Sequence, residues 1–212
     1  QPGNDVSRRS RRQKDIKEAL RWYRKAAEAG ISEAMYDLSW VYANHWMVQS
    51  VRESVSWLVK GAEAGNANAM LDLGLRLANG DGVAKDGTLA MHWLKKAAEE
   101  GNVEAQAHLG LGYMSGLDGN PPDYRQAADW LGKASSQGSA SAQLGLGMLY
   151  EKGWGVNEDL DRAKALYSQA ARSSEPEIAK LAKARNQQLA NPRNQELASQ
   201  RNQQSKSRSE IT

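Results

Sequence analysis

His45, His92 and His108 are the residues of this 212-residue chain best suited to moving protons or binding metal near neutral pH. No two of them stand four apart and none lies in an H-E-x-x-H arrangement, so the one-face pair that a helical zinc site requires does not occur. His92 and His108 fall at variable positions of helical patterns and read as surface or groove polar residues. The segment Gly80-Asp81-Gly82-Val83-Ala84-Lys85 has the glycine density of a phosphate loop, but neither the G-K-[ST] ending nor a preceding strand, and reads as a turn. The carboxylates Asp118, Asp123, Glu158, Asp159 and Asp161 gather near turns and helix starts, where they suit the positive end of the helix dipole rather than a calcium loop. With no cysteine in the chain, disulfides, thiolate zinc sites and thiol catalysis are excluded. This inventory predicts a protein that is not an enzyme, with no metal and no cofactor.

The elements that would position any site come next. Apolar residues make up 40% of the chain and charged ones 25%, with a mean hydropathy of −0.71, which suits one soluble domain with polar extensions. No run of 18 apolar residues occurs, and Gln1 to Asp5 lack the apolar core of a signal peptide. Residue 1 is not Met, so removal of something upstream is expected; a cleaved leader is one of two readings, and it leans slightly toward a periplasmic or secreted location, with a cytoplasmic one as the alternative. Charge is unevenly spread: residues 1–14 carry +4, residues 15–172 carry −4 and residues 173–212 carry +3. A pI near 9.0 therefore describes the tails and not a basic face on the folded part.

One phrase recurs along the body. It runs from Ala19 to Gly30 around Trp22, and returns around Trp57, Trp93 and Trp130, with Leu166 in the tryptophan slot of a weakened last copy. The successive spacings are 35, 36, 37 and 36 residues. Between these copies lies a second phrase, in which Ala34, Ala69, Ala105 and Ala142 are followed four residues on by Leu38, Leu73, Leu109 and Leu146. That spacing makes one face of an α-helix, and the small residue after each leucine (Ser39, Gly74, Gly110, Gly147) admits a close neighbour. Each period thus predicts two antiparallel helices. The tryptophan-bearing helix is closed by Gly30, Gly65, Gly101 or Gly138 in the left-handed conformation. A lone pair of this size cannot bury its apolar stripe, so the pairs must stack, with Trp22, Trp57, Trp93 and Trp130 as rungs of the core.

The phrase A-x-x-x-L-G-x-x-Y, a G-x-G-V turn and A-x-x-W-[YL]-x-K-A-A-x-x-G together resemble the Sel-one-like repeat family, relatives of tetratricopeptide repeats with a slightly longer unit. Leu109 to Tyr113 and Leu146 to Tyr150 carry the first half, and Trp93 to Gly101 the second. Asn44-His45-Trp46-Met47-Val48 replaces the glycine turn in the first full repeat, and Asn120-Pro121-Pro122 is inserted in the third. The resemblance implies an all-α, right-handed α-α superhelix of stacked helix pairs over residues 15–172. It also implies a non-catalytic adaptor whose partner is another protein or peptide. A basic tail over 1–14, a capping helix over 173–190 and a polar, disordered tail over 191–212 complete the expected organisation.

Positions two and six after the motif alanine lie opposite the leucine face: Tyr36 and Trp40, Leu71 and Leu75, Ala107 and Leu111, Leu144 and Met148. In a tetratricopeptide-like superhelix this side lines the concave surface. Two readings stand for it, an apolar groove that takes a partner segment and plain packing of first helices along the stack. His45 and Trp46 form a secondary binding candidate, with local packing of the irregular turn as the alternative. Other functions carried alongside are a repeat-fold hydrolase and a tail-mediated binder of nucleic acid or anionic membrane surface.

Overall fold

The computed structural model describes residues 17–45, 48–116 and 120–191. The tail over 1–14, Trp46, Asp118 and the stretch from 192 onward lie outside the described residues. Every regular element among the described residues is a helix. The chain divides into two compact units, 1–105 and 106–212. Unit one contains helical residues 17–28 (α1), then α2 (Ser32–Asn44), α3 (Val51–Glu63), α4 (Ala67–Asn79) and α5 (Gly87–Glu99). Helix α6 (Val103–Ser115) begins there and lies mostly in unit two, with α7 (Tyr124–Ser136), α8 (Ala140–Lys152), α9 (Leu160–Ala170) and α10 (Pro176–Ala190). No helix among the described residues is long and apolar enough to cross a membrane.

Local chemistry sets the helix boundaries. Ser50, Asn66, Asp86, Asp123, Ser139 and Asp159 each accept a hydrogen bond from the backbone N–H three residues on, and Asn102 does the same for Ala105. Otherwise unpaired first-turn donors are satisfied in this way. At the other end, Gly65 takes φ 93°, and the N–H of the next residue, Asn66, reaches back to the Gly61 carbonyl at 3.0 Å. A Cβ on Gly65 would meet nothing within 4 Å, so backbone conformation and not space demands the glycine.

Within unit one α2 packs on α3, α3 on α4 and α4 on α5; within unit two α7 packs on α8, α8 on α9 and α9 on α10. The small residue after each motif leucine is the socket for this packing. A Cβ on Gly74 would stand 2.8 Å from Leu94 Cγ, one on Gly110 2.7 Å from Leu131 Cγ, and one on Gly147 2.7 Å from Tyr167 Cε1. Leu58, Leu94, Leu131 and Tyr167 hold equivalent places in their copies, and all are fully buried. Where Ser39 replaces the glycine, the residue opposite is Ser54, and the two hydroxyls hydrogen-bond at 3.4 Å inside the core.

The tryptophans expected as core rungs divide. Trp57 and Trp130 are buried and Leu166 is buried in their slot, Trp93 is half-buried, and Trp22 is 62% exposed. Trp22 is therefore not a core rung. In each copy a lysine three residues further along the helix covers the indole, Lys25, Lys60, Lys96 and Lys133 lying 5.1, 4.2, 5.0 and 3.9 Å from their ring centroids. These rings thus sit at the margin of the core under a cation.

Helix α10 closes unit two with Ala182 and Leu189 in a cluster with Leu144, Ala163, Tyr167 and Ala170. The Tyr167 hydroxyl donates to Glu151 Oε2 at 2.7 Å, while Lys152 Nζ and Arg185 Nη1 stand 2.7 and 3.6 Å from Glu151 Oε1. Burial alone would push the Glu151 carboxyl up, but Lys152, the Tyr167 hydroxyl and Arg185 outweigh it and hold it below the usual range. Burial, followed by the hydrogen bond to Glu151, keeps the Tyr167 phenol neutral.

Two glycines of unit two separate socket from spacer. Gly147→Ala is expected to cost about 1–3 kcal/mol, because the Tyr167 ring must move. Gly132→Ala, within α7 and with nothing within 4 Å of its new Cβ, should stabilise by about 0.5–1 kcal/mol. Urea denaturation of both variants checks the pair.

Candidate functional site

The first-helix face expected to bind a partner is described separately in each unit. In unit one, Tyr36 and Trp40 stand one helical turn apart on α2, and Leu71, Asp72 and Leu75 lie on α4. Trp40 is 58% exposed, Tyr36 and Leu75 are half-buried, and Leu71 is buried. The Tyr36 hydroxyl on α2 and the Asp72 carboxylate on α4 are close enough to perturb each other at this face. Burial pushes the Asp72 carboxyl above the usual range, with Arg76 and the Tyr36 hydroxyl opposing and Glu104 adding to the rise. Burial, then the neighbouring Asp72 charge, likewise raises the Tyr36 phenol. The face therefore combines a large exposed indole with a half-buried hydroxyl–carboxylate pair. It can receive an apolar side chain and hydrogen-bond a polar group beside it.

Unit two treats the equivalent positions differently. Leu144 belongs to the buried cluster with Ala163 and Tyr167, and Ala107 is buried as well. Leu111 and Met148 are half-buried. A Cβ on Gly145 would stand 3.1 Å from Leu111 Cδ2, so Leu111 is engaged by α8. Of the seven positions singled out, Tyr36, Trp40, Leu71 and Leu75 lie in unit one and Leu111, Leu144 and Met148 in unit two. The exposed aromatic among these seven positions is Trp40, in unit one.

His45 is half-buried at the C-terminus of α2, its backbone N–H donating to the Val41 carbonyl at 2.9 Å; Trp46 lies outside the described residues. His92 is exposed and meets the edge of Trp93 at 5.5 Å, and His108 is half-buried. Among the described residues, no three His, Asp or Glu side chains converge as metal ligands do. Two contacts lie outside the positions singled out by spacing. One is the lysine over each tryptophan, legible as W-x-x-K in the first four copies. The other is the Trp154 ring stacked on Tyr124 at 4.9 Å, which sets the turn of the last pair against the start of α7 and left no periodic signal.

The comparisons with known proteins agree with this architecture. A family model described as Sel1 repeat matches residues 10–31, 32–66, 67–102, 103–139 and 140–174, so each of the last four matches covers one helix pair. A protective antigen of uropathogenic Escherichia coli displaying an SLR fold is 33% identical with a TM-score of 0.70, over 75% of this chain and 34% of its own. A Sel1 repeat protein from Oxalobacter formigenes is 35% identical with a TM-score of 0.68, over 76% of this chain and 66% of its own. This chain thus spans about a third of the first relative and just under two thirds of the second. No curated protein matches it.

Asp72 gives the face a pH signature. Its raised carboxyl means that the stability it contributes is present at low pH and is lost as pH rises through its folded-state value. Asp72→Asn, which keeps an acceptor for Tyr36, should therefore melt above the wild-type protein at pH 7. The margin should close as the pH is lowered below about 4. Thermal melts across that range measure it.

Proposed function

The chain belongs to the Sel1 repeat family, and from that premise we propose that it is a non-catalytic protein-interaction scaffold that holds a partner segment on the α2–α4 face of unit one. Sel1 repeats are generally interaction scaffolds, which supports the class of function. The observation that carries the choice of face is Trp40. A tryptophan more than half exposed one turn from Tyr36 leaves apolar area uncovered where the corresponding Leu75, Leu111 and Met148 are half-buried. Tryptophan and tyrosine are also the residue types that most often dominate binding energy at interfaces. The partner supplies an apolar side chain to the indole, and a backbone or side-chain polar group to the Tyr36–Asp72 pair. In tetratricopeptide-like superhelices this side of the first helices lines the concave surface, which is how such a segment would lie across successive helices.

Trp40→Ala tests the reading, with Leu75→Glu as a second substitution on the same face. Partners retained by the wild-type protein in quantitative affinity purification should be depleted about tenfold or more with either variant. The Trp40→Ala melting temperature should stay within a few degrees of wild type, because an exposed ring contributes little to the core. An unchanged partner set would refute the assignment. So would a stability loss of about 3–5 kcal/mol, the size expected for emptying a core tryptophan site.

A further inference from the structure

A second surface of unit one has a different chemistry. Between α1 and α2 lies a cleft of about 380 Å³ whose charged lining comes from one face of α1: Lys17, Arg21, Arg24, Lys25 and, at its far end, Glu28. Half-buried Leu20 and buried Tyr42 complete the lining and give it an apolar floor. Four cations thus face one carboxylate, in a region of the chain that is acidic as a whole. Arg24 Nη2 donates to the Tyr42 hydroxyl, which holds the guanidinium of this exposed residue against the cleft wall. Lys25 is held over the Trp22 ring. Ion pairs among the described residues engage Lys95, Lys152, Lys164 and Arg185 and none of the four cleft cations.

Stacking does not explain these charges. The equivalents of Arg21 in the next three copies are Ser56, His92 and Asp129, and those of Arg24 are Val59, Lys95 and Gly132. The repeat places no arginine at either position, so the pair is particular to α1.

We propose that the α1–α2 cleft binds a carboxylate-rich segment of a partner protein, its acidic side chains on Arg21 and Arg24 and an apolar side chain on Leu20. A fixed guanidinium suits a carboxylate, which it can grip through two parallel N–H donors. The cationic face is roughly 12 Å long, and Glu28 lies about one turn beyond it. A short acidic peptide fits that run, whereas a phosphate backbone would be carried past the cations onto a repelling carboxylate. Tyr42 and Trp40 are two residues apart on α2, roughly 200° around the helix, so this cleft and the Trp40 face look in opposite directions. The two surfaces are independent.

The test uses the full chain and a fluorescent six-residue peptide of glutamate and leucine, followed by anisotropy beside its Glu→Gln counterpart. The glutamate peptide should bind about tenfold or more tightly than the glutamine one, and its affinity should fall between about 50 and 300 mM salt. Arg21→Glu with Arg24→Glu should remove about tenfold or more of that affinity. Tyr42→Phe, which keeps the ring and frees the guanidinium, should weaken it about two- to fivefold with helicity retained. Trp40→Ala should leave it unchanged, which separates this proposal from the scaffold face. Equal binding of both peptides, or undiminished affinity in the double arginine variant, would overturn the proposal. So would polyuridylate RNA or phosphatidylserine vesicles binding more tightly than the peptide and losing that affinity in the double variant.

Discussion

The architecture depends on how closely a tryptophan-bearing helix can approach its partner. At Gly74, Gly110 and Gly147 there is no room for a methyl group, because Leu94, Leu131 and Tyr167 fill the space it would occupy. A knob that enters a groove lacking a side chain brings two backbones together, and it buries both the knob and the motif leucine beside the socket. Ser39 in the first full pair shows how strict the constraint is. A hydroxyl is admitted there opposite a second small polar residue, Ser54, to which it is hydrogen-bonded. The 36-residue beat of the sequence is the spacing at which such sockets recur.

The same packing decides which apolar residues remain available for function. Leu71 and Leu144 sit on the faces that a helical wheel turns away from the motif leucines, yet both are buried. Tyr36, Leu75, Leu111 and Met148 are half-covered. Trp40 exceeds what its neighbours can cover and remains as an anchor. On α1, where Trp22 is exposed, the helix carries arginines at positions that the next three copies fill with serine, histidine and aspartate or with valine, lysine and glycine. Binding surfaces thus arise where the repeat departs from its own rule.

Helix type, helix pairing, the glycine terminators and the sockets were all legible in the sequence, because each follows from a spacing of three, four or about 36 residues. The burial of individual tryptophans was not. Trp22 and Trp57 occupy the same motif position, yet one is exposed and the other buried, which a one-dimensional pattern does not encode. The Tyr36–Asp72 and Glu151–Tyr167–Arg185 contacts join side chains 16 to 36 residues apart without a repeating signature. The α1–α2 cleft was hidden for a related reason. Its arginines fall within an acidic body whose net charge says nothing about one helix face.

A double-mutant cycle at Gly110 and Leu131 tests the socket constraint most directly. Gly110→Ala should destabilise the wild-type protein and cost markedly less once Leu131→Ala has removed the side chain that fills the socket, leaving the Leu131 backbone nitrogen 3.0 Å from the new methyl, with a coupling of about 1–3 kcal/mol. Equal costs for Gly110→Ala in both backgrounds would show that the glycine is not the seat of the knob, and would contradict the stacking rule on which the fold and both binding surfaces rest.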